Sequence, residues 1–324
     1  MNRKLIISLM VIGCFIFGQS GPLRPISTYS IVALDEETGQ LGVAVQSHWF
    51  SVGFLVPWAR AGVGAVATQS FVKVDYGPEG LELMAAGSTA LEALAFLIEA
   101  DSGRAVRQVG MVDAQGVVAS YTGGNCIQYA GHVQGKNYTV QANLMASETV
   151  PRAMARAFEN AAGDLADRML AALEAAEREG GDIRGRQSAA MIIVSGKPSG
   201  VDWADKELDL RIEDHPEPLK ELRRLIRIHR AYKHANQGDL YLELGEIEKA
   251  VSEYEKAAEF YPENAELPYW SAVALASVNR LNEALPIFKD VFARDPDLKT
   301  LTPRLVKAGL LPNDEKMLEK IMVQ

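Results

Sequence analysis

Runs of apolar residues, separated by polar turns, divide the first two hundred positions into short strand-like and helix-like segments. Over 28–33 the order TYSIVA is rich in β-branched and aromatic residues, and 41–46 is a second apolar run. Between them Asp35-Glu36-Glu37-Thr38-Gly39 supplies a polar turn with glycine where φ can be positive, so the pair predicts a hairpin. A third run, 61–68, alternates Gly, Val and Ala; side chains that small predict a strand pressed close to another layer. Helical spacing begins after Gly77-Pro78 with Leu81 and Met84, and resumes at Thr89, which stands in capping-box register with Glu92. Strand signals return over 108–112 and 117–121, joined by Asp113-Ala114-Gln115-Gly116 in a second hairpin. Helices are predicted over about 148–160 and 164–179, the latter with Leu165, Met169, Leu170 and Leu173 on one side, and strands over 188–194 and 207–212 close the segment.

Paired strands, a block of helices and strands again do not make the strict alternation of a doubly wound sheet. The order fits an α+β fold of two antiparallel sheets with helices layered outside. After Asp214-His215-Pro216 the pattern turns wholly helical and acquires a period of 34 residues, the segment from Ala231 aligning with that from Ala265. Gly238 falls on Ala272, Ala250 on Ala284, Tyr254 on Phe288, Ala257 on Val291 and Pro262 on Pro296. Small residues let paired helices approach, an aromatic fills the gap and proline ends the second helix, so both units resemble tetratricopeptide repeats. Two repeats cannot bury their faces alone. The helix around 219–231 and the tail after Pro303 are expected to cap the stack.

At 324 residues the chain exceeds the size at which one core keeps growing, which sets the expected domains at 28–216 and 217–324. With 48% apolar and 23% charged residues the composition is that of a globular protein, and the net charge of −9 argues against a nucleic-acid partner. Arg3 and Lys4, followed by an apolar run to Phe17, read as a secretory signal over 1–20 cut after Ser20, with 21–27 as a linker. The expected location is therefore periplasmic or extracellular. Val11-Ile12-Gly13-Cys14 also resembles a lipoprotein cleavage box, and a lipid on Cys14 would be the one route to a membrane. Cys14 and Cys126 are the only cysteines, so no disulfide framework is expected in the mature chain.

No phosphate-cradling glycine loop, zinc-ligand cluster or GxSxG elbow is present, and neither a metal nor a cofactor is expected. The stretches TYSIVALDEETGQLGVAVQS, VPWARAGVGAVATQS, YGPEGLELMAAG, NYTVQANLM, AGDLADRMLAALEAAEREGGDIRGRQSAA and LDLRIEDHPEPLKELRRL resemble the bacterial domain-of-unknown-function 1028 (DUF1028) family. The resemblance implies a four-layer αββα sandwich similar to N-terminal-nucleophile hydrolases. In that fold the first residue of the mature chain attacks an amide carbonyl and its own α-amine, with an ordinary pKa of about 7.7 to 8.0, serves as base.

Thr28 opens the first strand and is the position that would have to be exposed. A cut after Ser20 leaves seven residues in front of it, so further trimming is required; the bland reading is a strand-edge threonine. Ser47, His48, Gln69 and Ser70 lie where strands end, and Gly180 to Ser188 is the densest polar cluster before a core strand. Asp182 and Arg186 are expected to pair there, orienting substrate or nucleophile or serving as a structural salt bridge. Cys126, in TGGNC, is a rival nucleophile, with His132 and Asn143 beyond it. The candidate catalytic residues are thus Thr28, Ser47, Asp182 and Cys126, with His48, Gln69, Asn143, Arg186, Gln187 and Ser188 binding a small-molecule or peptide substrate. The alternative is a non-catalytic binding or scaffolding protein whose repeats hold a peptide or protein partner, or a second copy in a homodimer.

Overall fold

A computed structural model describes Ile26 and residues 28–324; the signal over 1–20, Cys14 and all of the 21–27 linker but Ile26 lie outside the described residues. Thr28–Leu34 (β1) and Leu41–Ser47 (β2) form the expected hairpin, with Thr28 opposite Ser47 and Leu34 opposite Leu41. Asp35 shapes the turn, its Oδ1 accepting from the N–H groups of Glu37 and Thr38 at 3.0 Å. Pro57–Arg60 (β3), Gly64–Ser70 (β4), Arg107–Asp113 (β5) and Val118–Thr122 (β6) make a four-stranded sheet in chain order. Gly131–Gly135 (β7), Tyr138–Ala142 (β8), Ser188–Val194 (β9) and Lys206–Ile212 (β10) join the first hairpin in a six-stranded sheet, ordered β10-β9-β2-β1-β8-β7. All pairings are antiparallel.

Every residue of β1 is buried, so this sheet is covered on both faces. Tyr29, Ile31 and Ala33 pack against Val150–Asn160 (α3) and Leu165–Arg178 (α4) through Met154, Phe158, Met169 and Leu173. Val32 and Leu34 turn the other way and meet Ala65, Ala67 and Val112 of the four-stranded sheet. That sheet's outer face, Val66, Val109 and Met111, is covered by Tyr76–Ala85 (α1) and Ala90–Ala100 (α2). The capping box that starts α2 is complete: Thr89 Oγ1 accepts from the Glu92 N–H and Glu92 Oε2 accepts from the Thr89 N–H. The first domain is thus mixed α+β with two antiparallel sheets.

The C-terminal region runs through Pro218–Glu243 (α5), Ile247–Phe260 (α6), Glu266–Ser277 (α7), Leu281–Arg294 (α8), Pro296–Lys307 (α9) and Glu315–Met322 (α10). The boundary expected at 216/217 falls just before a helix that belongs to both parts. Leu219, Leu222 and Ile226 of α5 enter the core against α3 and α4, whereas Ala231 and Ala235 of the same helix pack on Ala257 and Leu267 of the repeats. The closing helix also begins earlier than expected: Asp295 caps α9, Pro296 sits in its first turn, where no amide hydrogen is needed, and Pro303 lies inside it.

The positions that defined the 34-residue period behave as their sizes dictate. Tyr254 and Phe288 are buried, and a Cβ on Gly238 would stand 2.8 Å from the Tyr254 ring. Helix propensity alone favours Gly238→Ala by about 1 kcal/mol. The ring contact should reverse that sign, giving a net loss of about 1–2 kcal/mol in chemical denaturation, while Asn236→Ala on the exposed face stays within about 0.5 kcal/mol of the parent. A gain in stability for Gly238→Ala would show that the contact does not constrain the repeat.

Candidate functional site

Strand ends from both sheets converge at one end of the inter-sheet layer. Thr28, Ser47, Gln69, Ser70, Gln108 and Asn143 all lie there, and all are completely buried. Thr28 Oγ1 donates to the Ile26 carbonyl at 2.8 Å and lies 3.2 Å from Ser47 Oγ, its cross-strand partner. Ile26 in turn exchanges two backbone hydrogen bonds with Ser70, N to O at 2.7 Å and O to N at 3.1 Å. Ile26 is thereby bridged to the end of β4 beside Thr28.

Around this pair runs a network of uncharged side chains. Gln69 Nε2 donates to the Thr28 carbonyl at 3.2 Å and to Gln108 Oε1 at 2.7 Å. Ser30 Oγ donates to Gln69 Oε1 at 2.6 Å and accepts from Gln141 Nε2 at 2.7 Å. Asn143 Nδ2 donates to Gln108 Oε1 at 2.9 Å, and its backbone N–H holds the Thr28 carbonyl at 3.1 Å. Gln108 Nε2 then reaches the Ala142 carbonyl and Thr122 Oγ1, each at 2.9 Å, and Thr122 Oγ1 meets exposed His132 Nδ1 at 2.9 Å. Asn143 Oδ1 is buried with no partner.

Of the residues singled out from sequence, the structure brings together Thr28, Ser47, Gln69 and Asn143. Ser30, Gln108 and Gln141 were missed; their only signal is a polar residue at an inward strand position. The expected Asp182–Arg186 pair does not form. Asp182 is gripped by Arg184 instead, Oδ2 accepting from Nη2 at 2.8 Å and Oδ1 from Nε at 3.1 Å and from the Arg184 N–H at 2.9 Å. Gly185, at φ +116°, reverses the chain between the two arginines, and Arg186 goes to Glu177 at the end of α4, 3.2 Å away. His48 joins this loop, its N–H donating to Asp182 Oδ2 at 3.3 Å and its Nδ1 lying 3.3 Å from the Arg186 carbonyl.

Ser188 Oγ donates to the Trp49 carbonyl and accepts from the Val52 N–H at 3.2 Å, which fixes the loop after β2. Gln187 ties strands through its backbone, its N–H bonded to the Ser47 carbonyl and its carbonyl to the His215 N–H. Among the described residues no base is bonded to the rival nucleophile: Cys126 Sγ donates to the Arg107 carbonyl at 3.3 Å, burial pushes its thiol up, and His132 is bonded to Thr122.

A cleft of about 470 Å³ between α4, α5 and α6 is lined by Lys220, Arg223, Arg224, Arg227 and Arg230. Each cation there has a carboxylate: Glu217, Glu174, Glu221, Glu263, and Asp164 with Asp167 respectively. The cleft is a zipper of ion pairs more than an anion site. Among the described residues no group of three His, Cys, Asp or Glu side chains could hold a metal, and no helix is long and apolar enough to cross a membrane.

The model of the family of unknown function DUF1028 matches residues 28–222, and a tetratricopeptide repeat model matches 234–264. The crystal structure of protein SPO2555 from Silicibacter pomeroyi, described as DUF1028, is similar at 32% identity and a TM-score of 0.56, over 62% of this chain and 85% of that one. No curated protein matches the chain.

Proposed function

The chain belongs to the DUF1028 family over residues 28–222, and from the cluster at its first matched residue we propose an amide hydrolase of the N-terminal-nucleophile kind, made in a covered form. The family carries no activity to inherit, so the proposal rests on the site. Helices outside each of two facing sheets support the four-layer αββα reading. The observation that carries it is Thr28 itself: a hydroxyl at the first position of β1, aimed between the sheets at Ser47, among amides and hydroxyls.

No carboxylate, imidazole or ammonium touches that hydroxyl in the hydrogen bonds described. The base it needs is the α-amine that Thr28 acquires once the 27–28 peptide bond is hydrolysed. That amine takes the Oγ1 proton as Oγ1 attacks a substrate carbonyl, and returns it to the departing amine; water then releases the acyl group. Gln69 and Asn143 hold the Thr28 carbonyl throughout, and Asn143 Oδ1 offers a further acceptor nearby. Residues 1–20 act as an export signal in this reading, with lipidation of Cys14 as the alternative anchor, and the repeats over 234–264 recruit a protein partner.

The Ile26–Ser70 bridge favours a second reading for the untrimmed chain. With Thr28 covered, the protein is a non-catalytic binding or scaffolding module that acts through its repeats, on a partner or on its own copy.

The test uses chain that begins at Thr28, offered a panel of peptide and small-molecule amides, with amine release as the readout. Thr28→Ala should lose at least about a thousandfold in rate, and Thr28→Ser should keep measurable turnover. Equal rates for Thr28→Ala and the parent would remove the residue from the mechanism.

A further inference from the structure

The two strands that carry Thr28 and Ser47 on one face carry Tyr29 and Gln46 on the other. Tyr29 stands directly opposite Gln46 in the β1–β2 register, which sets their Cβ atoms about 5 Å apart on the helix-covered side. Both residues are completely buried, and neither Tyr29 Oη nor either amide atom of Gln46 has a hydrogen-bond partner. Glu177 adds a fourth such atom. Its Oε2 is buried and unpartnered, while Oε1 faces Arg186 at 3.2 Å. A Cβ on Gly181 would stand 3.6 Å from both Tyr29 Oη and Glu177 Cα, so phenol, helix end and loop meet at one point. Ala172, Ala176 and Ala189 belong to the same core as Tyr29, and Ala189 is the neighbour of Gln46 on β9.

Buried polar groups are paired in all but a few cases. Here Tyr29 Oη lies beside the helix end that carries Glu177, Gln46 stands across the strand pair from Tyr29, and four of their polar atoms have no partner. We propose that Tyr29, Gln46 and Glu177 form a site for a small primary carboxamide. The ligand's carbonyl oxygen accepts from Gln46 Nε2 and the Tyr29 hydroxyl, and its NH₂ group donates to Gln46 Oε1 and Glu177 Oε2. All four atoms are then used, each in a role its chemistry allows. A carboxylate fits worse, because it brings a second anionic oxygen against Glu177 and Gln46 Oε1; an ammonium leaves Gln46 Nε2 without an acceptor. The Glu177–Arg186 ion pair, whose side chains are 22% and 43% exposed, is the part of this cluster that reaches solvent. The proposal does not depend on Thr28, which lies on the opposite face of the sheet.

Acetamide is the probe, with acetate and methylammonium as controls, and saturation-transfer NMR on the full chain as the readout. Acetamide should give a signal that the controls do not, with binding weakened about tenfold in Gln46→Leu and in Tyr29→Phe, and unchanged in Thr28→Ala. Tyr29→Phe removes one oxygen and keeps the packing, so it serves where Gln46→Leu does not fold. No signal for acetamide, an equal signal for acetate, or full binding by Tyr29→Phe would overturn the site. So would a crystal soaked in acetamide in which only ordered water bonds to the four atoms.

Discussion

Gln108→Leu should lower the stability of the chain by about 4 kcal/mol in chemical denaturation, although leucine matches glutamine in size and is the more apolar of the two. Gln108 is completely buried, and its Oε1 accepts from both Gln69 and Asn143 while its Nε2 serves the Ala142 carbonyl and Thr122. Thr122 is only partly buried and can turn to water. The Ala142 carbonyl cannot, Asn143 Nδ2 keeps only its 3.5 Å bond to the Thr28 carbonyl, and Gln69 loses its shortest bond to an acceptor. Each group so stranded costs about 1–3 kcal/mol. Gln134→Leu, on the exposed side of β7, should change stability by less than about 0.5 kcal/mol. The double variant Gln69→Leu with Gln108→Leu should cost less than the sum of the two, since it removes both partners of one bond. A loss under about 1 kcal/mol for Gln108→Leu alone would mean that the network contributes little to the folded state.

The same residues explain what could be read from the sequence and what could not. The β1–β2 hairpin, the Thr89–Glu92 cap and the 34-residue period were legible because each is set by local chemistry: an Asx turn, a reciprocal pair of hydrogen bonds, a recurring small residue beneath an aromatic. β7 and β8 were missed. His132 and Gln134 of β7 face solvent, and β8 places buried Thr139 and Gln141 where an apolar residue would have signalled a core strand. A polar residue in a strand ordinarily implies a solvent-facing side. Ser30, Gln108 and Gln141 face inward because a second sheet lies above them, which no window of the sequence contains. The Asp182 partner failed for a different reason, since four residues of spacing in a loop say nothing about direction once Gly185 turns the chain. Just after the expected 216/217 boundary nothing interrupts the helical spacing of α5 from Pro218 to Glu243, so one helix, about 39 Å long, serves two cores.

Chain beginning at Gly21 should be at least about a thousandfold slower in amide cleavage than chain beginning at Thr28, compared as kcat/KM with each start verified by mass. The hydroxyl is the same in both, so the difference isolates the amine. In the longer chain the nitrogen of Thr28 is a peptide nitrogen and cannot accept a proton, and the ionisable groups nearby are committed elsewhere. Asp182 is bound to Arg184, His132 to Thr122, and burial pushes the Cys126 thiol up. General-base assistance is worth about 10²–10⁴ in rate, and the bridge from Ile26 to Ser70 adds an obstruction to any substrate that approaches along that edge. Removing it frees the N–H and carbonyl of Ser70 beside Thr28, a pair of backbone groups to which an extended peptide can add by main-chain hydrogen bonds. Peptide amides should therefore gain more from trimming than small amides do. If both chains cleave at the same rate, the free amine is not the base; if the shorter chain is inert toward every amide while the longer one binds a partner through its repeats, the fold serves recognition and not turnover.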